Sequence, residues 1–329
     1  MSIRWGVMGT AGIATKVGAA IHNAKGAELR AIASRNLEKA QKWAEDHGAE
    51  KSYGSYEALL GDPNIDAVYI PLPPSMHNDW AIRAARAGKH VLCEKPLTMD
   101  VAEAVEIAAV CESKGVQLMD GVMWVHHDRT ALLKKILTSG EVGELRRVTS
   151  AFSFNWGPTV PTQNIRAQKE LGGGAIGDLG YYCVRATLWA FDEMPTAVFA
   201  RARYNHNVDI ETSAMMYFSH DRVASMDCAF SMQARSWLEL AGTDGSITID
   251  DFVLPANERE SWYSIRKGFG KQDSRSVGPC IQEVKMIEDF SALVESGKRD
   301  SSLPKVALDT VAVCCAILES AKAGKAVEI

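Results

Sequence analysis

The stretch Lys89-His90-Val91-Leu92-Cys93-Glu94-Lys95-Pro96 joins a short apolar run, fit for a buried strand, to a glutamate, a lysine and a proline. In an open α/β sheet, small molecules bind in the crevice beyond the carboxyl ends of the strands. A charged pair at that point is poorly placed for solubility alone, although an arbitrary strand also ends in charges where it surfaces. Lys95 is the leading candidate for a reactive residue, flanked by Glu94 and Pro96. The fold turns on whether strands and helices alternate around it.

Upstream they do. Ile3 to Met8 reads as a strand, followed at once by Gly9-Thr10-Ala11-Gly12-Ile13-Ala14. Read as a dinucleotide turn, Gly9 allows the bend and Ala11 stands where a second glycine usually admits the pyrophosphate. Gly12 and Ile13 open the helix, and Ala14 packs it on the strand. Many strand-to-helix turns are glycine-rich for steric reasons alone, and Ala11 weakens the match. Leu29 to Ala33 is a second strand, ending in Ser34-Arg35-Asn36. No acid stands there to hold ribose hydroxyls, so Ser34 and Arg35, with Lys39 one turn into the next helix, favour NADP, with NAD as the second choice. The alternative is a solvated Arg35. Asn36 and Gly48 bound a helix with apolar Leu37, Ala40, Trp43 and Ala44. Another helix near Tyr56 to Leu60 precedes the strand Asp66 to Ile70.

The run Pro71-Leu72-Pro73-Pro74 then leaves the sheet, because proline has no amide hydrogen to donate, and makes a rigid wall where Leu72 and Pro73 can face a cofactor ring. His77 caps the following helix or touches that cofactor. Downstream of Pro96, Asp100 precedes a helix over Val101 to Lys114 with Val105, Ala108, Ala109 and Val110 on its apolar face, and Val116 to Met119 is a fifth strand. The expected fold of residues 1–122 is a doubly wound, mostly parallel α/β sheet of the Rossmann type.

Composition agrees with an enzyme of this kind. With 329 residues the chain is long enough for two cores. A net charge of −5 gives no general attraction to nucleic acid or to anionic membranes. No run approaches the ~18 apolar residues of a membrane span, and the N-terminus lacks the signature of a signal peptide; a cytoplasmic protein is expected. Seven scattered cysteines with no Cys-x-x-Cys pair read as reduced core thiols, with neither disulfides nor a metal site.

Beyond about residue 122 the pattern changes. A helix over Thr130 to Leu137 gives way to alternating segments at Arg146 to Phe154, Val198 to Tyr204, Ala214 to Ser219, Ala224 to Phe230, Trp237 to Ala241 and Ser246 to Ile249. Two helices, Gln282 to Glu295 and Lys305 to Ala323, follow. Residues 123–329 are therefore expected to form an α+β domain on a large, mostly antiparallel open sheet. Within it lies Gly172-Gly173-Gly174-Ala175-Ile176-Gly177-Asp178-Leu179-Gly180-Tyr181-Tyr182, whose glycines let the backbone approach a ligand or a neighbouring strand. Asp178 and Tyr182, four apart, share a face if a helix starts here; the alternative is a cap followed by core aromatics.

Taken together, the glycine turn, the Gly88 to Pro96 run, the Gly172 to Tyr182 stretch and the pattern around Ser320 to Val327 resemble the Gfo/Idh/MocA oxidoreductase family over essentially the whole chain. The resemblance implies catalysis by Lys95, Asp178 and the residue at position 182. Tyrosine stands there in place of the family's usual histidine, which is similar to the branch of dihydrodiol dehydrogenases, NADP-dependent xylose dehydrogenases and glucose–fructose oxidoreductase. Val125 and Pro74 replace the arginine and asparagine of many relatives. Trp124 and His127 fall in the region implied to contact substrate. The activity implied is hydride transfer between NADP(H) and a sugar, polyol or diol, in a homodimer or homotetramer. The rival readings are a non-catalytic dinucleotide sensor and a glycoside hydrolase that uses NAD transiently.

Overall fold

The structure is a computed structural model that describes residues 2–157, 161–255, 259–270 and 272–329. The chain divides into two compact units, Met1–Met123 with Gln282–Leu308, and Trp124–Ile281 with Asp309–Ile329.

In the first unit, β1 (Ile3–Met8), α1 (Gly12–Asn23), β2 (Ala27–Ala33), α2 (Leu37–His47), β3 (Lys51–Tyr53), α3 (Tyr56–Leu60), β4 (Ala67–Ile70), α4 (His77–Arg86), β5 (His90–Cys93), α5 (Val101–Ser113) and β6 (Leu118–Asp120) alternate. The six strands form one parallel sheet in the order β3-β2-β1-β4-β5-β6. The progression of strand order reverses between β1 and β4, so the crevice opens where Gly9 leaves β1 and Pro71 leaves β4. Local signals set the helices: Asn36 Oδ1 accepts from Lys39 N at 2.9 Å, Asp100 Oδ1 accepts from Glu103 N at 3.1 Å, and Gly48 closes α2 at φ +75°. The face of α5 differs from expectation. Ala104, Ile107 and Cys111, spaced i, i+3, i+7, are buried, whereas Val105 is 50% exposed. Several faces of this alanine-rich helix are apolar, and packing selects the one with the longest side chain at its centre.

A cut at residue 122 misses a return of the chain to this unit. Helix α8 (Gln282–Glu295) packs on α1 and on the sheet. Met286, Ile287 and Phe290 join Trp5, Val7, Ile21 and Ile32 in one core, and the Trp5 and Phe290 rings lie 5.3 Å apart. Each such fully buried aliphatic side chain contributes about 1.5–3 kcal/mol of hydrophobic stabilisation.

The second unit holds α6 (Asp128–Ser139), β7 (Leu145–Asn155), α7 (Tyr181–Phe191), β8 (Ala197–Asn205), β9 (Val208–Tyr217), β10 (Val223–Ala229), β11 (Ser231–Gly242), β12 (Ser246–Ile249), β13 (Ser261–Arg266), β14 (Asp273–Val277) and β15 (Val327–Glu328). Nine strands run in the order β14-β13-β12-β11-β7-β10-β9-β8-β15, antiparallel except for β7 against β10. One face is apolar, with Val148, Val198, Ala200, Met216, Met226 and Leu240 buried. Helix α7 packs on β7 and β10. Helix α9 (Ser302–Ala323) begins in the first unit and ends in the second. Among the described residues no helix is long and apolar enough to cross a membrane, and none of the seven cysteines is in a disulfide.

Candidate active site

In the first unit the glycine turn is a shaped surface. Gly9 has φ +117°, and a Cβ there would lie 3.0 Å from Leu72 Cδ2, so the loops after β1 and β4 touch only because position 9 has no side chain. Thr10 is half-buried, and Ala11 and Gly12 are exposed. A Cβ at Gly12 would meet nothing within 4 Å. Ile13 packs partly on the core, and Ala14 is buried. Helix α1 has no side-chain cap at Ala11 and no acid in its first turn, unlike α2 and α5. Its open amides and uncompensated dipole suit an anion, and a dinucleotide pyrophosphate fits this surface.

Beside the turn, Ser34 is buried and accepts from Asn36 N at 3.3 Å, while Arg35 and Lys39 are exposed. The Arg35 guanidinium faces the Tyr56 hydroxyl; burial raises the phenol's pKa and Arg35 opposes the rise. Tyr56, which no sequence pattern singled out, also approaches the place of the missing Gly9 Cβ, at 3.8 Å. Its ring meets that of Trp80 edge-on at 4.8 Å.

At the end of β5, Glu94 turns inward. Tyr69 Oη donates to its Oε1 at 2.6 Å and Lys95 N to its Oε2 at 3.1 Å, and a Cβ at Gly121 would sit 3.0 Å from Oε1. Burial raises the Glu94 carboxyl above its ordinary range, opposed chiefly by the Lys95 ammonium and the Tyr69 hydrogen bond. Lys95 itself is half-buried, and Pro96 is buried. His77 neither caps the following helix nor reaches the surface. It is the first residue of α4, its solvent exposure is 0%, and both ring nitrogens face main-chain carbonyls. Leu72 is buried and Pro73 half-buried.

In the second unit each glycine of the triplet has its own reason. Gly172, at φ +81°, ends a short 3-10 turn. A Cβ at Gly173 would lie 2.5 Å from the Arg166 carbonyl oxygen, and one at Gly174, where φ is +125°, 2.2 Å from Asp209 Oδ1. The glycines therefore admit a neighbouring loop and a buried carboxylate. Asp209 Oδ2 accepts from Ile176 N at 2.8 Å and Thr212 Oγ1 at 3.0 Å; burial raises its pKa and these bonds oppose the rise. It anchors the π-helical turn Ile176–Gly180, which runs directly into α7.

Asp178 lies in that turn, and Arg166 Nε donates to its Oδ2 at 2.5 Å. Arg166 is held in turn: its amide donates to Asn164 Oδ1 at 3.0 Å, its carbonyl accepts from Gly174 N at 3.0 Å, and its guanidinium lies 5.8 Å from the centre of the Trp156 ring. Tyr182 is the second residue of α7, with its ring 5.6 Å from that of Phe152. Arg166 and Asp209 escape sequence reading because neither sits in a periodic segment next to the residues it serves. The candidate substrate residues Trp124 and His127 are both buried. Trp124 meets Trp189 and Phe252 edge-on, at 5.6 and 5.7 Å. His127 Nδ1 accepts from Arg129 N at 3.0 Å, which caps α6, and its Nε2 lies 3.2 Å from Ser261 Oγ.

A parallel sheet in this order, with a glycine turn and an open helix terminus at its switch point, defines a dinucleotide-binding α/β protein. Residues 3–122 match the oxidoreductase family with an NAD-binding Rossmann fold, Gfo/Idh/MocA, and residues 130–248 match the Gfo/Idh/MocA C-terminal domain. The chain belongs to this family and is an NAD(P)-dependent oxidoreductase. It is 33% identical to an NADP(+)-dependent D-xylose 1-dehydrogenase of Haloferax volcanii, over 99% of both chains. It is 32% identical to a trans-1,2-dihydrobenzene-1,2-diol dehydrogenase of Xenopus laevis, over 77% of both. A crystal structure of a 3-ketoreductase from Actinomadura kijaniata, in complex with NADP and TDP-benzene, superposes with a TM-score of 0.91 at 30% identity, over 97% of this chain and 98% of that one.

Proposed function

We propose that the protein oxidises or reduces a secondary alcohol or carbonyl of a sugar, polyol or trans-dihydrodiol, preferring NADP(H) to NAD(H). NADP, when bound, supplies the hydride-accepting carbon. Gly9, Thr10, Ala11, Gly12 and Ile13 would hold its pyrophosphate. Ser34, Arg35 and Lys39 would hold the 2′-phosphate, and Leu72, Pro73, Glu94 and Pro96 would frame the nicotinamide end. The observation that carries this reading is Lys95 standing two residues after β5, at the carboxyl end of the parallel sheet, where ligands of such sheets bind.

Tyr182 takes the hydroxyl proton in oxidation and returns it in reduction. A free phenol titrates near ~10, and an adjacent ammonium favours phenolate. We assign that role to Lys95, which would also stabilise alkoxide character on the substrate oxygen. Asp178, fixed by Arg166, accepts a hydrogen bond from the substrate. Relatives named as a pentose dehydrogenase and a diol dehydrogenase support the substrate class, and the NADP(+) dependence of the first supports the cofactor.

A panel of aldoses, polyols and trans-diols assayed with both cofactors tests this reading. Reduced-cofactor absorbance should rise with NADP, and Lys95→Ala and Tyr182→Phe should each lower turnover at least ~100-fold while cofactor affinity changes little. Turnover near normal in both variants would remove the catalytic assignment. Free sugar released without net cofactor reduction would favour the hydrolase, and inactivity across the panel the sensor.

The solvent face of the second sheet supports self-association as a homodimer or homotetramer. Phe199, Arg201, Ser213, Met215, Ser225 and Asp227 line a depression of about 310 Å³ there, mixing apolar and oppositely charged groups as a self-complementary interface does. Sedimentation velocity with Met215→Glu tests it: the assembly should dissociate.

A further inference from the structure

His77 is fully buried and lies between two loops of the first unit. Its Nδ1 is 2.9 Å from the carbonyl oxygen of Pro96 and 3.2 Å from that of Leu97, and its Nε2 is 2.8 Å from that of Leu72. Carbonyl oxygens only accept, so each contact requires a proton on the histidine nitrogen. Burial, with the Lys95 ammonium, pushes the imidazole below its ordinary range, and the three carbonyls pull the other way. A neutral ring has one N–H. On Nδ1 that hydrogen is shared by two acceptors, against one on Nε2. The Pro96 and Leu97 carbonyls also belong to the segment immediately after Lys95, whereas the Leu72 carbonyl belongs to the proline wall after β4.

We propose that His77 is a positioning residue for Lys95: its Nδ1–H, donating to the carbonyls of Pro96 and Leu97, fixes the segment that presents the ammonium. The inference rests on Lys95 being the catalytic lysine of the preceding section. The side chain spans from the start of α4 to the segment after β5, so its loss frees the backbone next to Lys95. Lys95 is the charged group whose field reaches the ring, and the segments after β4 and β5 present carbonyls to it.

Two measurements on the full-length protein decide it. The first is the ¹⁵N spectrum of imidazole-labelled protein at pH 7, with the resonances of residue 77 assigned by their loss in His77→Leu. A protonated Nδ1 is expected; a neutral ring protonated only at Nε2 overturns the proposal. The second compares His77→Asn with His77→Gln. The amide nitrogen of asparagine falls near the place of Nδ1, and that of glutamine near Nε2. His77→Asn should keep kcat within about 3-fold, whereas His77→Gln should lose about 10-fold or more in kcat at unchanged NADP affinity. Equal losses in the two variants, or a loss confined to KM for the cofactor, would show a packing or cofactor role instead. If Lys95→Ala retains turnover, the catalytic reading falls, while the spectrum still reports which nitrogen holds the loop.

Discussion

Arg166 donates through Nε to Asp178 Oδ2 at 2.5 Å, and it does so from a loop that contacts the triplet glycines at main-chain distance. A charge-assisted hydrogen bond of this kind is worth about 1.5–3 kcal/mol. Arg166→Ala should therefore reduce kcat by roughly 10- to 100-fold and leave the dissociation constant of NADP unchanged, because the loss falls on a group of the second unit. Steady-state kinetics with a cofactor-binding titration checks both numbers. Equal effects on turnover and cofactor binding would count against the assignment.

Gly174 tolerates no side chain. Its φ of +125° and the Asp209 carboxylate at the place of a Cβ predict that Gly174→Ala destabilises the protein by at least ~1–3 kcal/mol. Urea denaturation followed by fluorescence measures this. Gly12→Ala, placed where a Cβ meets nothing, should leave stability within about 0.5 kcal/mol.

Arg35 is exposed, and no acid stands at the end of β2. Arg35→Ala should weaken NADP binding by about 10-fold or more, and NAD binding by less than about 3-fold. Isothermal titration with each cofactor gives the ratio, and equal losses would remove the argument for NADP.

Glu94 sets a pH dependence of stability. Burial raises its folded-state carboxyl pKa above the ordinary 4.5. The folded state thus binds the proton more tightly than the unfolded one. This contribution is fully present below pH 4.5 and is lost as pH rises through the raised value. Glu94→Gln, which imitates the protonated acid, should flatten that part of the stability profile. Thermal unfolding of both proteins from pH 4.5 upward compares the slopes; parallel profiles would contradict the prediction.

Much of the first unit is readable from local chemistry. Asn36, Asp100 and Gly48 are end signals that act within a few residues, and each does in the structure what its type favours. Short strands leave weaker traces. Lys51–Tyr53 is three residues long with no apolar alternation, yet it adds the edge strand that completes the six-stranded order. Strand β14 is equally poor in apolar pattern, with Val277 its one apolar residue. The face of α5 went to Ala104, Ile107 and Cys111 because an alanine-rich helix leaves the choice to its neighbours.

The candidate site was legible to the extent that its residues are motif-like. Lys95, Asp178 and Tyr182 stand at a strand end and a helix start, where residue type and position can be read together. Asp209 acts from β9 on a turn 33 residues earlier in the chain, and Arg166 acts from a single 3-10 turn, Ile165–Ala167. Their contribution arises only when the chain has folded. The glycine triplet was readable as a place of close approach; what approaches, a carbonyl and a carboxylate, was not.

The return of α8 has a consequence during synthesis. The core around Trp5 is closed by Met286, Ile287 and Phe290, and Trp5 Nε1 donates to Ser291 Oγ at 3.1 Å. All of residues 124–281 leave the ribosome before that wall exists, a delay on the order of ten seconds or more at ~5–20 residues per second. The part of the protein made first is therefore completed only near the end of synthesis, and a fragment ending near residue 123 should expose an open apolar face to chaperones instead of folding alone.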